Sequence, residues 1–202
     1  LRAVQGISDF QKRDTERALE LTLRALDMDP KNALVLAIQG HIHCQLSGDV
    51  DLAKEKIDSA IALNPNESLA WLYKSVWSSM WGQTQASVDE AQIAADLSPI
   101  DPLKYYYDMI LACGHSMNRN YARAIELTQR SLKANRYHQP TIRVLMHAQA
   151  ENGLWGDAKN TLDSLLQINP SLTVSSYLAV GADSASRQQV ATVLRRLGLP
   201  EN

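Results

Sequence analysis

The chain repeats one pattern of apolar and polar positions about every 35 residues. Each copy closes on a phrase of similar type: LDMDP (26–30), IALNP (61–65), ADLSP (95–99), LKANR (132–136) and LQINP (166–170). Proline cannot continue the helix before it, and its ring moves the preceding residue away from helical backbone angles. Each phrase therefore predicts the end of one helix and the start of a turn. The period predicts a solenoid of helical hairpins.

Small residues keep a fixed distance from these helix ends. Twelve positions before each end stand Ala18, Ala53, Ser87, Ala124 and Ala158. Five positions before stand Ala25, Ala60, Ala94, Ser131 and Leu165, of which all but the last are small. Seventeen positions before stand Arg13, Gly48, Gly82, Arg119 and Gly153, of which three are glycine. Small side chains let two helices of a hairpin cross closely, and glycine tolerates the positive φ of a tight turn.

This register predicts paired helices near 14–28, 33–46, 50–63, 67–81, 84–97, 103–117, 121–134, 138–152 and 155–168, with a partial helix before residue 12. The segment from Ser171 onward breaks the period. Ser184 is a suitable N-cap for a last helix that runs through Val190, Leu194 and Leu197 to Gly198. We expect this helix to cover the apolar end of the stack, because an open solenoid requires a cap.

The repeats resemble the tetratricopeptide repeat (TPR) family. The third unit carries the family's aromatic, small, turn and proline positions as Trp71, Ser75, Gly82, Ser87, Ala94 and Pro99. The second unit has one extra residue between Gly40 and Gly48, and the fifth has Met146 and Leu165 where small residues are expected. The resemblance implies an all-α, right-handed TPR superhelix. Its array would span 1–170 (1–30 partial, 31–65, 66–99, 100–136, 137–170), followed by a C-terminal capping segment at 171–202.

Longer phrases resemble a narrower bacterial group. They are GHIHCQLSGDVDLAKEKIDSAIALNPNESLAWLY (40–73), LSPIDPLKYYY (97–107) and LRRLGLPEN (194–202). In that group a C-terminal TPR region follows a class III adenylate/guanylate cyclase domain or a winged-helix DNA-binding domain. The resemblance implies a cytoplasmic regulatory module attached to an output domain. Because the chain opens on Leu1 without a signal peptide, we interpret it as part of a longer protein, one that can carry a catalytic cyclase domain.

Composition limits the kinds of partner that the chain is expected to bind. The formal net charge is −2, which argues against a nucleic-acid surface, since phosphate binding needs clustered Lys and Arg. No apolar run reaches the ~18 residues of a membrane span. The two cysteines, Cys44 and Cys113, fit a reducing compartment, although a single disulfide between them stays open.

The resemblance also implies a concave groove lined by the first helix of each hairpin. Carried over by register, the protein-binding groove residues are His41, Cys44, Gln45, Leu72, Val76, Ser79, Met80, Tyr106, Met109, Cys113, Ser116, Met117, Arg143, His147 and Glu151. We expect the groove to take a peptide with apolar anchors, because methionines form adaptable contact surfaces. The alternative is that these side chains contact a neighbouring hairpin or the terminal helix.

Some TPR proteins bind acidic C-terminal tails through a clamp of Lys, Asn and Arg. The corresponding positions here are Ala37, Leu72, Met109 and Arg143, so the clamp is absent and a chaperone-tail binder is not predicted.

Other chemistry is weakly indicated. His41, His43 and Cys44 invite a metal site, but His43 points away from His41 on a helix and no further Cys follows nearby. The aromatic residues Tyr105–Tyr107, Trp71, Trp77 and Trp81 are more typical of interhelix packing than of a ligand box. No nucleotide-binding, zinc-protease or serine-hydrolase signature occurs. We therefore predict no metal, no cofactor and no enzyme within this chain.

Three functions remain open. The first is a protein-interaction module that regulates an output domain by holding a protein or peptide segment, including a segment of its own parent chain. The second is a small-molecule sensor with its ligand near Met80, Met109 and Cys113, which requires a closed apolar pocket. The third is a homo-oligomerisation scaffold.

Overall fold

The computed structural model describes residues 11–180 and 183–202. In chain order its α-helices are α1 (Gln11–Met28), α2 (Ala33–Ile42), α3 (Val50–Leu63), α4 (Ser68–Met80), α5 (Thr84–Leu97), α6 (Lys104–Met117), α7 (Tyr121–Ala134), α8 (Gln139–Glu151), α9 (Trp155–Ile168), α10 (Val174–Ala179) and α11 (Ala185–Arg196). The most extensive helix contacts join α2 to α3, α4 to α5, α6 to α7 and α8 to α9. The predicted all-α solenoid of hairpins is confirmed. The partial helix predicted before residue 12 falls almost entirely outside the described residues.

The hairpins of the second to fifth repeats, from α2 to α9, each turn on a residue in the left-handed region, at the positions that the repeat predicts. The prediction is wrong for the first repeat, where the corresponding residue, Arg13, lies inside α1 because the helix already begins at Gln11. Gly48, Gly82 and Gly153 have φ of 71°, 80° and 81°. In the fourth hairpin the same position is Arg119, with φ 60°. A residue with a Cβ costs free energy in this conformation. The fourth hairpin therefore keeps the turn geometry of the others although it lacks the glycine that favours it.

The extra residue of the second repeat forms a local change of helix type. His43–Ser47 is a π-helical turn directly after α2, and the amide of Gly48 donates to the carbonyl of His43 at 2.9 Å. A π turn holds one more residue than an α turn, so it absorbs the insertion within the helix. Gly48 then still sits at the turn, and α3 keeps its pairing with α2.

Close crossings inside the hairpins explain the small residues. A Cβ on Gly40 would lie 2.6 Å from Cγ1 of Ile57 and 2.9 Å from the carbonyl oxygen of Ala53, so α2 and α3 touch backbone to backbone there. In the fifth hairpin Met146 and Leu165 replace the small residues and are completely buried. They belong to an apolar cluster at the C-terminal end of the solenoid, to which α11 contributes Val190, Val193 and Leu194.

Aromatic side chains join consecutive hairpins, as the sequence indicated. The indole of Trp77 on α4 donates to the carbonyl of Val50 at 3.1 Å, and the hydroxyl of Tyr107 on α6 is 3.0 Å from that of Ser68. These bonds cross from one repeat to the next, so they fix the stacking of the solenoid as well as filling its core.

The C-terminal segment contains the helix predicted from Ser184 and one that was not predicted. Ser184 caps α11 by accepting from the amide of Arg187 at 3.4 Å. The shorter α10 begins after Thr173, whose hydroxyl accepts from the amide of Ser176 at 3.1 Å, and the Ser176 hydroxyl accepts from the Thr173 amide at 2.9 Å in return. Helix α11 covers the last hairpin and also contacts α4, so it extends over the concave side of the solenoid.

Candidate functional site

The concave side contains a cavity of about 150 Å³ between the first helices of three hairpins and the C-terminal segment. Its wall is mostly apolar, with methionine and valine side chains from α4 and α6. The predicted groove residues on this wall are Gln45, Val76, Ser79, Met80, Tyr106, Met109, Cys113, Ser116, Met117, Arg143 and His147. The register carried over from the TPR family therefore brings most of the predicted site residues together in space.

The C-terminal segment supplies the remaining side of the cavity, which agrees with the alternative that the groove residues contact the terminal helix. Tyr177, near the end of α10, and Ser186, Arg187 and Val190 of α11 line it. The open, methionine-lined groove expected from the sequence is thus covered here. The physical reason is that α11 has an apolar face to bury, and the apolar concave surface is where it packs. The reciprocal caps of Thr173 and Ser176 were the local signal for this segment.

Four predicted groove residues do not line the cavity, and three of them lie in the core. Leu72 and Cys44 are completely buried in the core, and the Cys44 thiol lies 3.6 Å from the sulfur of Met80. His41 is 5% exposed and stacks on Tyr73 with ring centroids 4.0 Å apart. Burial lowers the pKa of His41 to about 3, because the charged imidazolium would lose its hydration. These side chains have packing roles.

A second, wider recess of about 740 Å³ lies beside α11, and we call it the polar trough. It is lined by Thr84, Ser116, Met117, Asn118, Arg119, Tyr121, His147, Glu151, Gln189 and Thr192. Glu151, the last of the predicted groove residues, lies here. Ser116, Met117 and His147 line both recesses, so the trough and the cavity adjoin.

Two arginines distinguish the electrostatics of the cavity. The guanidinium carbons of Arg143 and Arg187 lie 5.6 Å and 4.8 Å from the ring centre of Tyr177. Within residues 11–180 and 183–202, no carboxylate pairs with either arginine. Burial lowers the pKa of Arg143, with a contribution from the charge of Arg187. The cavity is therefore apolar with a cationic edge.

Neither the nucleophile candidates on the cavity wall nor the core residue Cys44 is activated by its surroundings. Burial raises the pKa of Cys113 to about 11 and that of Cys44 to about 12, so both thiols are protonated at neutral pH. The Ser116 hydroxyl lies 2.9 Å from Nδ1 of His147, but burial lowers the pKa of that imidazole. No carboxylate of the described residues is hydrogen-bonded to His147 to orient it as a base. The arrangement fits structural hydrogen bonding.

In the part of the chain that the structure describes, no three His, Cys, Asp or Glu side chains gather into a metal-binding group. Among the same residues no helix is both long and apolar enough to cross a membrane.

Comparison with solved structures shows the fold. PilW, a widely conserved type IV pilus biogenesis factor, is 19% identical with a TM-score of 0.69, over 94% of this chain and 83% of PilW. PilF of Pseudomonas aeruginosa is 18% identical with a TM-score of 0.65, over 97% of this chain and 90% of PilF. YrrB, a TPR protein with an unusual peptide-binding site, is 12% identical with a TM-score of 0.57, over 89% of this chain and 91% of YrrB. No protein-family model and no curated protein matches the sequence. The likeness confirms the TPR solenoid.

Proposed function

We propose that this TPR-fold chain is a protein-interaction module that holds a polar peptide segment in the trough beside α11. One observation carries the proposal. Arg119 occupies the turn position that is glycine in the hairpins on either side, it does so with φ 60°, and its side chain lines the trough. Strained backbone is commonly retained where a side chain has a function, which favours a binding role for Arg119.

The composition of the trough supports a peptide as its ligand. Arg119 and Tyr121 are residue types that dominate binding energy at protein interfaces. Asn118 is held in place by its amide, which donates to Gln85 at 2.9 Å, and by the Thr84 hydroxyl, which donates to it at 3.3 Å. A segment with an acidic residue opposite Arg119 and a donor opposite Glu151 fits these groups. We do not include in this proposal the apolar anchor residues that the sequence led us to expect in the peptide, because α11 covers the apolar wall.

The test is selection of short displayed peptides on the full chain, followed by titration of the selected peptides. Arg119→Gly should weaken their binding at least tenfold, which is about 1.4 kcal/mol, while the variant folds at least as well as the parent. Arg123→Gln removes the same charge from the exposed face of α7 and should leave affinity unchanged. Equal binding by the parent and Arg119→Gly would rule out the trough as the peptide site.

The finer part of the proposal concerns the whole protein. We propose that residues 1–170 form the TPR array, that 171–202 form its cap, and that the module regulates an attached output domain of the cyclase or winged-helix type in the bacterial cytoplasm. The three long phrases at 40–73, 97–107 and 194–202 support this. The full reading frame tests it, and a frame that encodes neither domain contradicts it.

A second candidate function is small-molecule sensing. The cavity favours it, because a small ligand needs a concave and mostly apolar site with a few polar groups. A ligand there would contact α11, which also forms one side of the polar trough. Occupancy of the cavity would then be coupled to peptide binding.

A further inference from the structure

Two arginines away from the cavity have carboxylate partners. Arg130 forms two hydrogen bonds to the buried carboxylate of Asp108, and Arg195 pairs with Glu201 at 2.8 Å. Arg143 and Arg187 pair with no carboxylate among the described residues, although they are the arginines that face the cavity. The edge of the cavity thus has two positive charges with no acidic partner among the described residues.

This arrangement is costly without a ligand. Arg187 donates one hydrogen bond to the carbonyl of Tyr177, but its Nε is buried without a partner among the described residues. Arg143 has only the face of the Tyr177 ring as a favourable contact in the same part of the chain. Both arginines are half-buried and keep only part of their hydration, and a cation in such a position normally has a counter-ion or several hydrogen bonds. An anion between the two guanidinium groups would satisfy both.

The rest of the wall limits the size and polarity of the ligand. Val76, Met80, Met109, Ile110 and Val144 form the apolar part. The volume of about 150 Å³ equals that of an engineered apolar cavity known to bind benzene, so it fits a body of about six carbon atoms. A carboxylate suits the polar edge, because its two oxygens match the planar fork of a guanidinium.

We propose that this cavity binds a small monocarboxylate whose carboxyl group lies between Arg143 and Arg187 and whose apolar body contacts the methionine-lined wall. The proposal rests on the second candidate function, small-molecule sensing, and gives it a ligand class. The ligand would enter from the polar trough past Ser116, Met117 and His147, which line both recesses. Because Arg143 belongs to α8 and Arg187 to α11, the ligand would bridge the array and its terminal helix.

Calorimetric titration of the full chain with benzoate tests the proposal, with benzyl alcohol as the uncharged probe of the same shape. We expect saturable binding of one benzoate per chain, and binding of benzyl alcohol at least ten times weaker. Inorganic phosphate should also bind at least ten times more weakly, since it cannot use the apolar wall. The comparison needs no substitution, so it does not depend on the folding of a variant.

Two variants locate the site. Arg143→Gln and Arg187→Gln should each weaken benzoate binding at least tenfold, while Arg123→Gln, which removes an exposed charge elsewhere, should leave it unchanged. Equal binding of benzoate and benzyl alcohol would overturn the anionic ligand class and leave a sensor of neutral molecules. Binding of neither probe, tighter binding of phosphate, or equal loss in Arg123→Gln would overturn the site itself.

Discussion

Three glycines of this chain should respond in different ways to the same substitution by alanine. Gly40 packs against α3, where the added Cβ would lie 2.6 Å from Ile57 Cγ1 and 2.9 Å from the Ala53 carbonyl oxygen. Carbon atoms in contact normally stay about 3.5–4.0 Å apart, and both neighbours are completely buried. Because one of the clashing atoms belongs to the backbone, a rotamer change cannot relieve the contact.

The magnitudes separate the three sites. Overpacking costs about 1–3 kcal/mol, and the contacts of 2.6 Å and 2.9 Å, one of them to backbone, place Gly40 in the upper half of that range. The better helix propensity of alanine returns about 1 kcal/mol, so Gly40→Ala should destabilise by about 1 to 2 kcal/mol. Gly156 lies in the first turn of α9 with no atom near its added Cβ, so Gly156→Ala should stabilise by roughly 0.5 kcal/mol. Gly82 also has open space but a φ of 80°, so its substitution should cost about 1–2 kcal/mol through the backbone alone.

The assay is urea unfolding of the three variants and the parent, followed by far-ultraviolet circular dichroism. The midpoint should rise for Gly156→Ala and fall for the other two. A midpoint for Gly40→Ala at or above that of the parent would refute the close crossing of α2 and α3. The predicted register of the hairpins depends on this close packing.

Further predictions concern charges and turns. Arg119→Gly should raise the free energy of unfolding by about 1 kcal/mol in the same urea assay because it relieves the left-handed turn, whereas Lys133→Gly inside α7 should lower it by a similar amount; equal effects would contradict the φ of that turn. Arg143→Met should leave stability unchanged or raise it because it removes an unpaired charge, while Arg130→Met should lower it by roughly 1–3 kcal/mol because it leaves a buried carboxylate short of a partner; thermal melting of both variants checks this, and the reverse order would contradict it. Burial lowers the pKa of His41 to about 3, below its unfolded value of 6.5, so its stabilising contribution is complete above pH 6.5 and is lost as the pH falls toward 3, by on the order of 1 kcal/mol per pH unit. Urea midpoints between pH 7 and pH 4 should therefore fall less steeply for His41→Phe, and a parallel decline would show that His41 titrates normally.

Much of the fold could be predicted because its signals are local. The proline-ended phrases and the small residues set the hairpins, and the same register located the left-handed turn at Arg119 although no glycine is present there. The inserted residue of the second repeat could be recognised in the sequence, because the spacing between Gly40 and Gly48 is one residue longer than in the other repeats. Its accommodation as a π turn at His43–Ser47 was not, because helix type at an insertion depends on how the next helix must pack.

The site was less predictable because it depends on contacts between distant parts of the chain. The family register identifies which residues point toward the concave side, and it placed Met80, Met109 and Arg143 together. It contains no information on residues after the last repeat, so it missed Arg187 and Tyr177. The amphipathic pattern of α11 predicts that one face is buried but not which surface buries it, and this choice turns an open groove into a partly covered cavity.

The reactivity of Cys113 tests most directly whether the C-terminal segment closes the concave side. Burial in the cavity wall raises the pKa of this thiol to about 11 from an ordinary 9.0, which alone reduces the thiolate about 100-fold at neutral pH. Alkylation of the native full chain, with the modified site assigned by mass spectrometry, should therefore be at least about 100-fold slower at Cys113 than in the urea-unfolded chain. A native rate within tenfold of the unfolded rate would contradict the account, because it would show the open, water-filled groove that the repeat pattern alone implies.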